Sequence, residues 1–182
     1  MQNIQNTIFF KDFETILDIT ESIETALLYS KLNFHYRNSQ VVREGTKWCV
    51  RSLNDIASWF SLSTDKISGM IKKLVKVGLL KTKSFLYKGL RKTHFSTTSE
   101  LSTFCDYGAI KRLSDQTKST RDAVILLKVM FLYSNSTIEH DNKKWVAYSQ
   151  EKLSDWSRLS VRSIRNIINK LESLGLIIKK TY

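Results

Sequence analysis

Arg162, Ser163, Arg165, Asn166, Asn169 and Lys170 crowd one short segment of the chain, LSVRSIRNIINKLESLGL, in which no carboxylate appears before Glu172. Guanidinium groups pair with the acceptor edge of guanine, and a carboxamide matches adenine. Lysine and serine commonly hold phosphates. Ile164, Ile167, Ile168, Leu171 and Leu174 recur at helical spacing in the same segment, so the polar residues fall on the opposite face of an amphipathic helix. A solvated surface is the commonest fate of such a face. A face without balancing acids is also what a helix needs to meet an anionic partner.

The segment has a precursor, LSTDKISGMIKKLVKVGL, 97 positions earlier. Its apolar side is Ile67, Met70, Ile71, Leu74 and Val77, which turns Thr64, Asp65, Lys66, Ser68, Gly69, Lys72 and Lys73 outward. Asp65 and Gly69 make this helix the weaker candidate for reading bases. The correspondence extends upstream: TALLYSKLNFHYRNS (25–39) aligns without gaps on DAVILLKVMFLYSNS (122–136), and Trp48 and Trp59 align on Trp145 and Trp156. Two of the aligned pairs are tryptophans, of which the chain has four, so chance is a poor explanation. Two copies are too few for a solenoid, and duplicated small domains fit better.

Each copy yields the same elements. Ser22 or Ser119 caps a first helix, and Asp122 gives the second copy a capping-box spacing. A polar turn leads to a short strand, KWCV or KWVA, and Ser52 or Ser149 caps a short second helix. After the turn at Leu62-Ser63 or Leu159-Ser160 comes the third helix, which stops at Gly78 or Gly175, where a C-cap favours glycine. A strand follows, LLKTKSF in one copy and LIIKKTY in the other. In the first copy Tyr87-Lys88-Gly89 turns it into LRKTHFST, a hairpin. Helix, strand, helix, turn, helix, hairpin is the order of a winged helix-turn-helix. The expected fold is therefore mainly α with small β-hairpins, as two tandem winged helix-turn-helix domains. Residues 1–95 form the first with an acidic N-terminal segment, 96–118 a linker with helical character interrupted at Gly108, and 119–182 the second. Either the second wing is incomplete or the chain continues past Tyr182.

The wing of the first copy holds Lys81, Lys83, Lys88, Arg91 and Lys92 without an acid, and Lys179 and Lys180 follow the third helix of the second. These cations are placed to hold flanking phosphates or to enter the minor groove; edge lysines that discourage strand pairing are the plain alternative. The net charge of +12 is uneven. Asp12, Glu14, Asp18, Glu21 and Glu24 against Lys11 give residues 1–25 a net of −4, leaving +16 on the rest. A basic body points to nucleic acid.

Other chemistry is missing. The chain has no GxxxxGK, GxGxxG or HExxH motif, and His35, His94 and His140 lack metal-ligand spacing with Cys49 and Cys105. Neither an enzyme nor a cofactor or metal site is expected. The tryptophans, Phe34/Phe131 and Tyr36/Tyr133 are expected to pack rather than stack on bases. With no long apolar run, no secretory leader and two unpaired-looking cysteines, a cytoplasmic location is expected.

The pattern of a tryptophan strand, a serine-capped helix, an LS turn and a helix ending I…L…LGL resembles phage and plasmid replication proteins. DnaD-like replisome organisers and the origin-binding domains of phage replication O proteins carry it. The likeness covers 22–85 and 119–182. It implies double-stranded DNA binding in replication initiation, while transcriptional regulators share the motif and a winged protein-interaction scaffold is a third reading. Many such turns carry glycine where this chain has Ser61 and Arg158.

Overall fold

The computed structural model describes residues 8, 10–98, 101 and 105–180. The chain divides into two compact units, Lys11–Cys105 and Asp106–Tyr182 with Met1–Phe10. The first is built from α1 (Phe10–Thr20), α2 (Ile23–Arg37), β1 (Val41–Arg43), β2 (Thr46–Val50), α3 (Leu53–Phe60), α4 (Thr64–Lys76), β3 (Leu80–Tyr87) and β4 (Leu90–Thr97). The second contains α5 (Tyr107–Thr117), α6 (Thr120–Asn135), β5 (Ile138–His140), β6 (Lys143–Trp145), α7 (Gln150–Ser157) and α8 (Val161–Ser173). Helices with small antiparallel sheets are the composition of a winged helix-turn-helix.

Serine starts most of these helices. Ser22, Ser52, Ser63, Ser119, Ser149 and Ser160 each accept a backbone N–H from the third residue on, satisfying a donor that the first turn leaves open. Ser52 and Asp55 close a full capping box. At the other end, Gly78 (φ 76°) and Gly175 (φ 68°) adopt left-handed backbone. The next amide reaches back five residues, Leu79 to the Leu74 carbonyl and Leu176 to the Leu171 carbonyl, at 3.0 Å each.

In the first unit the sheet order is β1-β2-β4-β3. The strand expected to carry Trp48 is the second arm of a hairpin whose first arm, β1, is only three residues long and so too short to show as a strand. Glu44 and Gly45 both take positive φ (50° and 70°), as a two-residue turn between right-twisted strands requires. Asp141 (51°) and Asn142 (57°) do the same between β5 and β6. Both tryptophans tie their hairpins: Trp48 Nε1 donates to the Arg43 carbonyl at 3.2 Å and Trp145 Nε1 to the His140 carbonyl at 3.1 Å.

Element boundaries recur at one spacing: Phe10–Thr20 returns as Tyr107–Thr117 and Thr64–Lys76 as Val161–Ser173, each 97 positions on. Within the segment 96–118, Ser96 and Thr97 finish β4 and α5 takes Tyr107–Thr117, running through Gly108 near its start rather than breaking there; residues 99, 100 and 102–104 lie outside the described ones.

The core of the first unit centres on α2, where Ile23, Ala26, Leu27, Leu28, Tyr29 and Leu32 are all buried. A helix apolar this far round must be covered on most sides. Helices α3 and α4 and strands β2 and β4 pack on it or on one another. In the second unit α6 is enclosed in the same way through Ala123–Leu127, with α5 and α8 against it.

Two expectations are corrected. LIIKK after Gly175 is not a strand: none of the described strands pairs with it, and Ile178 stands 80% exposed. Phe34, Phe131 and Tyr133 do not pack inside but are exposed, because α2 and α6 emerge from their cores over the last turns.

Candidate nucleic-acid interface

Helix α8 presents its candidate face because Ile164, Ile167, Ile168 and Leu171 are buried on the other side. Each such burial stabilises by about 2 kcal/mol, which fixes the helix's rotation. Leu174, at its C-cap, is exposed. Arg162, Arg165 and Asn166 are exposed at i, i+3 and i+4, so the three side chains are surface neighbours. Arg165 Nε donates to Gln150 Oε1 at 3.4 Å, which steers the guanidinium along the start of α7. Neither Arg162 nor Arg165 forms an ion pair among the described residues.

The remaining candidates of this unit are engaged within the protein. Ser163 is half-buried in the helix cap, its backbone N–H and hydroxyl both meeting Ser160 Oγ. Lys170 binds Asp122 at 2.7 Å, a carboxylate only 9% exposed. Lys179 donates to Asn169 Oδ1 and pairs with Glu172, each at 2.8 Å, and this contact holds the Glu172 carboxyl below its ordinary pKa. Lys180 pairs with Asp141 at 2.5 Å. Lys170 keeps 42% of its side chain exposed, but its ammonium is engaged by the buried acid at the start of α6.

In the first unit α4 is more fully tied. Lys66 pairs at 3.5 Å with Glu24 in the first turn of α2, and Lys73 at 4.0 Å with Glu21 in the turn just before it. Thr64 and Ser68 are half-buried and Asp65 is exposed, leaving Lys72 as the exposed cation of the predicted set on this helix that forms no ion pair among the described residues. The β3–β4 hairpin is richer. Lys81, Lys88 and Arg91 are exposed, while Lys83 pairs with Glu44 at 2.5 Å from the β1–β2 turn. Lys88 and Lys92 each place an ammonium 5.8 Å from the Tyr87 ring.

One face of that sheet is aromatic. Phe85 lies 5.5 Å from Trp48 and 5.0 Å from His94, and Tyr87 lies 6.1 Å from His94. Trp48 is 6% exposed, which supports its expected packing role. Trp59 is stacked on His35 at 4.8 Å with Lys31 over its ring, and Lys128 lies over Trp156 in the same way. His35 also receives an Arg51 guanidinium at 3.0 Å; burial first, then the Arg51 and Lys31 charges, push its pKa down to about 4.

Sequence reasoning missed the acidic partners Glu21, Glu24, Glu44, Asp122 and Asp141, and the role of Gln150. The signal for Glu24 and Asp122 was their place in a first helical turn, which explained them as local charge and hid their long-range pairing. No helix among the described residues is long and apolar enough to cross a membrane.

No curated protein and no solved structure matches the chain. Residues 120–177 match the family model described as a helix-turn-helix domain, a stretch that begins with α6 and ends just past Gly175, and the match supports a helix-turn-helix DNA-binding protein.

Proposed function

We propose that the chain is a cytoplasmic, non-enzymatic protein that binds double-stranded DNA sequence-specifically through two tandem winged helix domains derived by internal duplication. Its role in this reading is replication initiation on a phage or plasmid-type element, for which the support is the resemblance of the tryptophan-strand, LS-turn and LGL pattern to such initiators. The observation that carries DNA binding is the exposed Arg162, Arg165 and Asn166 triplet on a helix whose opposite side is locked into a core. A recognition helix reads bases with residues of its N-terminal half, where these three stand. The first domain contributes mainly charge, through Lys81, Lys88 and Arg91 on its hairpin and Lys72 on α4.

Selection of bound fragments from the DNA of the host and its mobile elements tests the proposal. Fragments clustered as repeats at an origin support the replication role, and a lone promoter operator would reassign the protein to transcription. Binding that stays constant between low and moderate salt, or no enrichment of any duplex, would overturn DNA binding, because every neutralised phosphate releases counterions. A stable complex with a purified protein and no duplex binding would favour the scaffold reading.

A further inference from the structure

The β3–β4 hairpin ends in a feature that phosphate holding does not use. Leu86 and Leu90 flank its turn and are 69% and 63% exposed. The register pairs Leu86 with Arg91 and Tyr87 with Leu90, so the leucines project from opposite faces of the last two rungs. Between them Lys88 (φ 50°) and Gly89 (φ 76°) close a tight left-handed turn, and Gly89 leaves the tip narrow. No carboxylate occurs from Lys81 to Lys92.

The tip also stands clear of the body. Strand β2 pairs with β4 only at Phe95 and His94, and Phe85 of β3 still packs on Trp48. The two rungs beyond, Leu86–Arg91 and Tyr87–Leu90, have no third strand beside them among the described residues; before the turn they reach about 7 Å, against a minor groove about 7.5 Å deep. Two leucines held at such a tip gain nothing from water, and cations on either side match paired phosphate ridges. Apolar side chains carried into a minor groove by a basic arm part the base stack and bend the duplex.

We propose that the hairpin tip of the first unit is a minor-groove wedge: Leu86 and Leu90 enter between base pairs and bend the DNA while Lys88 and Arg91 hold the flanking phosphates. The inference rests on the DNA-binding reading above. It assigns the first unit a task distinct from base reading, and favours pyrimidine–purine steps, which unstack most easily.

The test uses the full chain and a duplex of about 40 base pairs with central T·A steps, labelled at its ends with a donor–acceptor pair. Saturating wild-type protein brings the ends together. Leu86→Ser with Leu90→Ser, both at exposed positions that the fold tolerates, binds within about threefold of wild type yet leaves the duplex straight, since the phosphate contacts remain. A straight duplex under bound wild-type protein overturns the wedge and leaves DNA binding intact, as does equal bending by the double variant. Failure of the wild type to bind any duplex overturns the underlying reading instead. Leucine-dependent binding to anionic lipid vesicles, with bound DNA left straight, would reassign the tip to a membrane surface.

Discussion

Replacing Lys170 with methionine separates architecture from recognition on α8. The ammonium sits 2.7 Å from Asp122 Oδ2, and the acid is 9% exposed whereas the lysine is 42% exposed. At an effective dielectric of about 20 the attraction at this distance is about 6 kcal/mol, an upper bound that solvent around the lysine reduces. Asp122 keeps the Ser119 hydroxyl at 3.0 Å after the change, so its charge is not wholly abandoned. The expected loss is about 2 kcal/mol, below the 3–5 kcal/mol of a fully enclosed pair. For a unit of this size that lowers Tm by about 10 °C. Calorimetry of wild type, Lys170→Met, Asp122→Asn and the double variant gives the coupling directly. Duplex affinity, measured well below the melting range, should change less than about threefold, because methionine preserves the packing and the ammonium is already neutralised by Asp122. Unchanged Tm with affinity lost about tenfold would refute this assignment and return Lys170 to the phosphate contacts.

Other perturbations probe other parts of the fold. His35, held down at about 4 against an ordinary value of 6.5, makes the folded state bind its proton later than the unfolded chain. Stability from this source is full above pH 6.5 and is lost as pH falls toward 4; discounted for the ring's partial exposure, the loss is about 1–2 kcal/mol. Thermal melts at neutral and mildly acidic pH should show that dependence, and His35→Leu, which installs the residue found at the equivalent Leu132, should flatten it. Ser61 occupies left-handed backbone at φ 53°, so Ser61→Gly should raise stability by about 0.5–1 kcal/mol in chemical denaturation. Trp48→Ala should cost about 3–5 kcal/mol, since the ring is buried and its Nε1 holds the hairpin.

The three helices of each copy were legible because each begins with a serine ahead of an apolar period and each third helix stops at a glycine. Local signals of that kind need only neighbouring residues. The two non-glycine turns show where the rule was too narrow. Ser61 and Arg158 take the left-handed backbone (φ 53° and 59°) that glycine would take more cheaply. Ion pairs were illegible, for Lys170 and Asp122 lie 48 positions apart and Lys83 and Glu44 lie 39 apart. Outward position on a helical wheel does not tell which flank meets a neighbour. LIIKK and LLKTK have equal strand propensity, but a strand exists only where another pairs with it, and β4 supplies that partner to one alone. Of the candidate face on α8, the spacing carried Arg162, Arg165 and Asn166 outward, while the pairing of Lys170 with Asp122 was not readable from it.

The proposed function stands or falls with base reading by α8. Competition between a selected site and an unrelated duplex, measured for wild type and for Arg162→Ala with Arg165→Ala, tests it most directly. Each bidentate arginine contact discriminates by about 1–3 kcal/mol, so the preference for the selected site should fall about 100-fold or more. Lys88→Ala with Arg91→Ala should instead weaken binding to both duplexes alike. A double arginine variant that keeps the full preference would contradict the account.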